Sequence, residues 1–242
     1  MWKNGYNIRL IMKGKIQTTG IGSLPHLKKT DAIEFSFKHD IPFLPQLTSL
    51  GENMIEQALS PLDPRQSHLA LDSFLEKAHT LNSTSLKIQI AGPNTCQTSE
   101  NPILKTIFKF VKILDENKLK PIIFIDEPCT MSDSVALQNI FDEINNAGFQ
   151  SGLHSCNHFS LSTIKKFKIN FLSYDSNIMN IKNSEFLKTH IVGVDPILNR
   201  PDEINQVLAS YHDDIILSYS CGLAKYTEDQ CEQILNGLNQ HK

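Results

Sequence analysis

Ile122-Ile123-Phe124-Ile125-Asp126-Glu127-Pro128 decides the fold. An unbroken apolar run of strand length is the mark of a strand buried on both faces, as in parallel sheets covered by helices. This one stops on two carboxylates and a proline. Working outward, the pattern repeats. Strand-length apolar runs at 16–22, 41–44, 86–91, 121–126, 151–154, 171–174, 191–194 and 215–219 alternate with helical patterns.

The helices carry start and stop signals. Thr30 is placed to cap a helix over 31–39, and Asn101-Pro102 opens one over 103–117, with proline at the tolerated first turn. Ile103, Ile107, Phe110, Val111 and Leu114 keep helical spacing on one face. A helix over 132–147 ends at Gly148, Pro201-Asp202-Glu203 opens 204–211, and Thr227-Glu228-Asp229 opens 230–238. Segments 53–59 and 64–81 form a helical excursion between the second and third strands.

Eight strands alternating with helices predict an α/β protein, a (β/α)8 TIM barrel in a single domain over 15–242, after an N-terminal extension over 1–14. The extension is expected to be poorly ordered, with Met12 a candidate start. A doubly wound open sheet shares the alternation. Gly22-Ser23, Gly92-Pro93-Asn94-Thr95, Asp126-Glu127-Pro128, His154-Ser155-Cys156, Asp175-Ser176-Asn177, Asp195-Pro196 and Ser220-Cys221-Gly222 each follow a strand. A barrel gathers such ends at one mouth, where these enzymes keep their active sites.

Composition narrows the function. The chain has 242 residues, 40% hydrophobic and 20% charged, with a formal net charge of −3. No basic field for nucleic acid exists, and no apolar run reaches membrane-spanning length. The start lacks the cleavage site of a secretory signal. Five cysteines, an odd number, argue against a secreted disulfide framework. A cytoplasmic location is expected, with neither nucleic-acid nor membrane partners. No Gly-x-Gly-x-x-Gly or Walker loop supports nucleotide binding.

His154, Cys156 and Cys221 make up a soft ligand set of the kind that holds catalytic Zn2+ with one position open. Residues two apart in a strand point the same way, so His154 and Cys156 would share a face. A lone cysteine is more often a small buried hydrophobe; joint occurrence at strand ends favours the metal. Asp175 is either a fourth ligand or a cap on the next turn. His158 reads as structural, Cys231 as a helix-face residue, and Cys96 and Cys129 stay unassigned.

Asp126 and Glu127 end a buried strand, where an acidic pair needs a positive partner. A substrate ammonium suits Asp126, a lysine or arginine of the protein being the other choice. Glu52 is a weaker candidate of the same kind, since glutamate is common at helix starts. Gly22-Ser23 and Gly92-Pro93 bring backbone N–H groups to the mouth that could grip a carboxylate, or serve only as turns.

In this order, Thr19-Gly20-Ile21-Gly22-Ser23-Leu24-Pro25, Ile41-Pro42-Phe43-Leu44-Pro45-Gln46-Leu47, Glu52-Asn53-Met54, Gly92-Pro93, Ile125-Asp126-Glu127-Pro128, His154-x-Cys156 and Ser220-Cys221-Gly222-Leu223 resemble the C-terminal barrel of cobalamin-independent methionine synthase. They are closer to stand-alone proteins of its zinc methyltransferase and uroporphyrinogen-decarboxylase-like superfamily. The resemblance implies methionine biosynthesis: a zinc-bound thiolate, homocysteine, attacking a methyl group. Ile21-Gly22-Ser23 would hold its carboxylate, Asp126 and Glu52 its ammonium, and His154, Cys156 and Cys221 the zinc, with Asp175 where the synthase has glutamate. The folate-contacting glutamate falls at Ser132, the only tryptophan is Trp2, and residues 195–200 lack the proton-donating histidine. A methylated corrinoid protein or another small donor is therefore expected in place of methyltetrahydrofolate. The rivals are a zinc hydrolase and a non-catalytic zinc-binding barrel.

Overall fold

The structure, a computed structural model, describes residues 16–129, 134–179, 181, 189–194, 204–205, 208 and 215–241. The extension over 1–14, Ser132, the Asp195-Pro196 turn and the Pro201-Asp202-Glu203 helix start lie outside the described residues.

Seven parallel strands form one curled sheet. They are β1 (Gln17–Thr18), β4 (Lys87–Ala91), β5 (Ile122–Asp126), β6 (Gln150–Ser155), β7 (Phe171–Asp175), β8 (Thr189–Val194) and β9 (Ile215–Tyr219), in the order β1-β9-β8-β7-β6-β5-β4. A second, two-stranded parallel sheet pairs β2 (Ser23–Leu24) with β3 (Gln46–Leu47). The expected strand over 41–44 is instead a segment with one isolated bridge, Phe43 to Lys87. Pro42 within it has no N–H to give a ladder. The segment nonetheless bonds to both sheet edges: Ile41 N–H to the Thr18 carbonyl at 3.0 Å, and Leu44 N–H to that of Lys87 at 2.8 Å.

Strand alternation sorts side chains into two apolar layers. Ile122 and Phe124 join Ile41, Phe171, Ile191 and Ile216 in an inner cluster. Ile123 and Ile125 face outward with Ile88, Ile90, Leu153, Leu172, Val192 and Leu217. Helices cover that outer face: α5 (Glu100–Glu116) through Ile103, Ile107, Phe110 and Leu114, and α6 (Ser134–Asn146) through Leu137, Ile140, Phe141 and Ile144. Gly148, at φ +79°, stops α6 in the left-handed region that favours glycine.

Helix boundaries shift where caps decide them. The first helix, α1 (Lys29–Ser36), starts before Thr30, whose hydroxyl bonds Asp31 and caps nothing. The excursion is three helices, not two: α2 (Met54–Leu59) capped by Asn53, α3 (Pro64–Ser67) capped by Asp63, and α4 (Leu71–Thr80). A short α7 (Leu161–Ile164) follows β6. Thr227 and Gln230 form a reciprocal capping box that opens the last helix, α8 (Glu228–Asn239).

Candidate functional site

The parity of β5 that sends Ile122 and Phe124 inward sends Asp126 inward at the strand's C-terminal end. Its neighbour Glu127 faces differently and has another task. Glu127, 0% exposed, accepts from the Asn94 and Thr95 backbone amides at 3.0 and 2.8 Å, from Asn94 Nδ2 at 3.0 Å and from Thr95 Oγ1 at 2.7 Å. Gly92 is required where this carboxylate passes, since a Cβ there would lie 2.2 Å from Glu127 Oε1. The Gly92-Pro93-Asn94-Thr95 turn is thus moulded on Glu127.

Asp126 is 3% exposed. Its Oδ2 accepts from Gln89 Nε2 at 2.5 Å, and among the described residues its buried Oδ1 has no hydrogen-bond partner. Gln89 Oε1 in turn accepts from Gly22 N–H at 3.0 Å. Burial pushes the Asp126 carboxyl well above the usual carboxylate range, against the opposing charge of Lys87 and the Gln89 hydrogen bond. Asp126 opens onto a pocket shared with Gly22, Ser23, Gln46, Gln57 and Gln89. Ser23 Oγ donates to Gln46 Oε1 at 2.7 Å, Gln46 Nε2 to Gln57 Oε1 at 3.0 Å, and Gln57 Nε2 to the Ser67 carbonyl at 2.8 Å. His68 also lines the pocket, and burial lowers its pKa to about 4.

Glu52 does not line this pocket. Its carboxylate accepts from the backbone amides of Leu47 and Leu69 and so ties the loop after β3 to the start of α4. Burial raises its pKa, against those two hydrogen bonds.

Each of the four expected zinc ligands has a partner within the protein. His154 is buried with Nδ1 2.9 Å from Ser173 Oγ, and burial, aided by the Lys87 charge, lowers its pKa to about 3. The Cys156 and Cys221 side chains interact, which lowers the Cys221 thiol, against burial. The same contact, with burial, raises Cys156. Asp175 Oδ1 accepts from Asn177 N–H at 2.8 Å, the turn-capping alternative. Among the described residues no group of three or more His, Cys, Asp or Glu side chains is arranged to hold a metal ion. His158 is exposed, and Cys231 is buried on α8.

Sequence reasoning missed Lys87 and the three glutamines. Leu86-Lys87-Ile88-Gln89-Ile90 alternates apolar with polar, which on a strand with a covered outer face sends Lys87 and Gln89 inward. That alternation was the available signal.

No known protein family matches this chain, and no curated protein does. Solved structures are similar to it. The apo 3-keto-D-glucoside 4-epimerase of E. coli superposes with a TM-score of 0.51 at 12% identity, over 93% of this chain and 98% of that one. The N-acetylmannosamine-6-phosphate 2-epimerase of Clostridium perfringens gives a TM-score of 0.34 at 13% identity, over 78% of this chain and 96% of that one. The first likeness defines the class, a curled parallel α/β sheet of TIM-like kind, and at that identity it shows the fold alone.

These findings correct the expected kinship. The similar E. coli structure is an epimerase, and among the described residues the expected ligands form no metal-holding group. The methionine-synthase resemblance therefore falls, and with it the zinc methyltransferase, its homocysteine chemistry and methionine biosynthesis. The reason is physical. Short strand-end motifs arise from turns and caps: Gly92-Pro93 fits around Glu127, and Asp175 caps its own turn.

Proposed function

We propose that this chain is an isomerase-type enzyme that moves a proton at a carbon next to a carbonyl, with Asp126 as the proton-transferring group. The observation that carries the reading is the buried Asp126 carboxyl with an unpartnered Oδ1 in a pocket at the sheet's C-terminal end. A base poised near neutrality suits proton transfer, and burial moves Asp126 in that direction. In the step, the Asp126 carboxylate takes the C–H proton and the electron pair moves into the carbonyl to give an enediol(ate). Return of the proton from the Asp126 carboxylic acid to the former carbonyl carbon, as the hydroxyl proton passes between the two enediol oxygens, gives the isomer. The serine and glutamine groups around Asp126 suit a substrate bearing hydroxyls, and the epimerase activity of the similar E. coli protein supports a keto-sugar class.

The architecture we infer is a closed eight-stranded barrel with segment 41–44 as the eighth stave, supported by its hydrogen bonds to both sheet edges. The function is tested by incubating the protein with a panel of neutral ketoses and keto-glycosides in D2O and following the C–H signals by proton NMR. Exchange is expected with the native chain, slowed about 100-fold or more in Asp126→Asn. No exchange across the panel with folded protein would overturn the reading.

A further inference from the structure

Ser23, Gln46 and Gln57 line the pocket beside Asp126, and the direction of their hydrogen bonds is fixed from one end. The Ser67 carbonyl can only accept, so the Gln57 atom 2.8 Å from it is the amide nitrogen. Gln57 Oε1 is left toward Gln46, and the Gln46 atom facing it at 3.0 Å must in turn be nitrogen. Gln46 therefore turns its oxygen to Ser23, its partner in register across the second sheet, and the Ser23 hydroxyl must donate at 2.7 Å. A serine hydroxyl has one proton and two acceptor lone pairs. With that proton committed, Ser23 offers a ligand lone pairs alone, and among the described residues nothing donates to them. Asp126 Oδ1 is likewise without a donor among the described residues. Gly22 N–H, which could grip an anion, is taken by Gln89 Oε1. Among the described residues no lysine or arginine lines the pocket.

We propose that Ser23 is a specificity-determining residue that accepts a hydrogen bond from a substrate hydroxyl, held in that role by Gln46 and Gln57. The inference rests on the pocket beside Asp126 being the substrate site, and it sharpens the class that site takes. The substrate is a neutral keto-sugar with a hydroxyl against Ser23 and no phosphate. A hydroxyl satisfies the Ser23 lone pair; a fluorine in its place has no proton and sets lone pair against lone pair. A phosphate meets the same opposition with no cation to offset it. Gln46 and Gln57 are positioning residues, because they act on the ligand only through Ser23. Without Gln57 the Gln46 amide can turn over and donate to Ser23, which frees the serine proton and blurs the selection.

The test is binding, by isothermal titration calorimetry. The probes are D-fructose, D-tagatose, D-sorbose and D-psicose, their phosphate monoesters, and analogues with a single hydroxyl replaced by fluorine. In the native chain, fluorine at one position should weaken binding about tenfold or more, and the phosphate esters should bind less tightly than their parents. Ser23→Ala, which removes a single oxygen, should bind the parent sugar about tenfold more weakly and lose the preference for hydroxyl over fluorine. Gln57→Met, checked for folding by circular dichroism, should narrow the same preference; a merely structural loss would weaken all the sugars alike. Should Gln57→Met fail to fold, Ser23→Ala decides. Indifference to fluorine at every position, phosphate esters bound more tightly than their parents, an unchanged preference in either folded variant, or no binding of any probe overturns the proposal. Selective binding without deuterium exchange would sink the proton-transfer reading alone. Exchange with an unchanged preference in Ser23→Ala would sink this inference alone.

Discussion

Gln89 donates its side-chain amide to Asp126 Oδ2 at 2.5 Å. The direction of that bond is set from the other end, because Gly22 N–H occupies Gln89 Oε1. An amide held at both ends cannot flip, so Asp126 always meets a donor there.

Replacing Gln89 by leucine removes that donor and leaves both Asp126 oxygens unpartnered. The Asp126 midpoint should then rise, since the hydrogen bond favours the ionised carboxylate. Carbon-13 titration reads the shift directly. Loss of a buried hydrogen bond that leaves its partners unsatisfied should also cost about 1–3 kcal/mol of stability, measured by urea unfolding.

Gly92→Ala should destabilise the fold. The added Cβ would lie 2.2 Å from Glu127 Oε1 and 2.5 Å from its Cδ, and overpacking of this kind costs about 1–3 kcal/mol. The midpoint of chemical unfolding should fall with an unchanged denaturant slope, and a variant as stable as the parent would contradict this geometry.

Cys221 should be the more reactive thiol of the pair at the mouth. Its pKa is lowered by the interaction with Cys156, which favours its thiolate form. Alkylation by iodoacetamide, mapped by mass spectrometry, should modify Cys221 ahead of Cys156 with a rate that rises with pH and levels off once Cys221 is ionised. Cys156→Ser weakens that interaction and should move that profile upward.

His68 makes stability depend on pH in a stated direction. Its folded pKa is lowered by burial from the usual 6.5 to about 4, so the unfolded chain binds the proton first. The stabilisation is fully present above 6.5 and is lost as pH falls toward 4, at up to about 1.4 kcal/mol per pH unit. Unfolding of His68→Gln compared with the parent at neutral and mildly acid pH should show a shallower decline in the variant.

Much of the sheet was legible because buried parallel strands announce themselves as apolar runs. Ile122 to Ile125, Phe171 to Tyr174 and Ile215 to Tyr219 lie where their patterns put them. Segment 41–44 looked like its neighbours but carries Pro42, and it makes a bridge instead of a ladder. The place of Asp126 at a strand end was also readable. Its pocket neighbours were not, because Gln46 lies on β3 of the second sheet and Gln57 in the helical excursion that follows, whose docking no local pattern encodes. The zinc set was readable only in part for a related reason. Spacing reports which way His154 and Cys156 face, but not the distance from them to Cys221 and Asp175. Meanwhile Lys87 and Gln89 were hidden by treating 86–91 as one apolar run.

The pairing of β1 with β9, Gln17 opposite Ile216, has a consequence for how the chain is made. The first strand of the main sheet finds its neighbour only when the last one has left the ribosome. Until then β1 is a bare edge, and bare edges recruit other strands. Newly made chains are therefore most exposed to mispairing between the synthesis of β1 and that of β9, and the arrival of β9 is what makes the sheet safe.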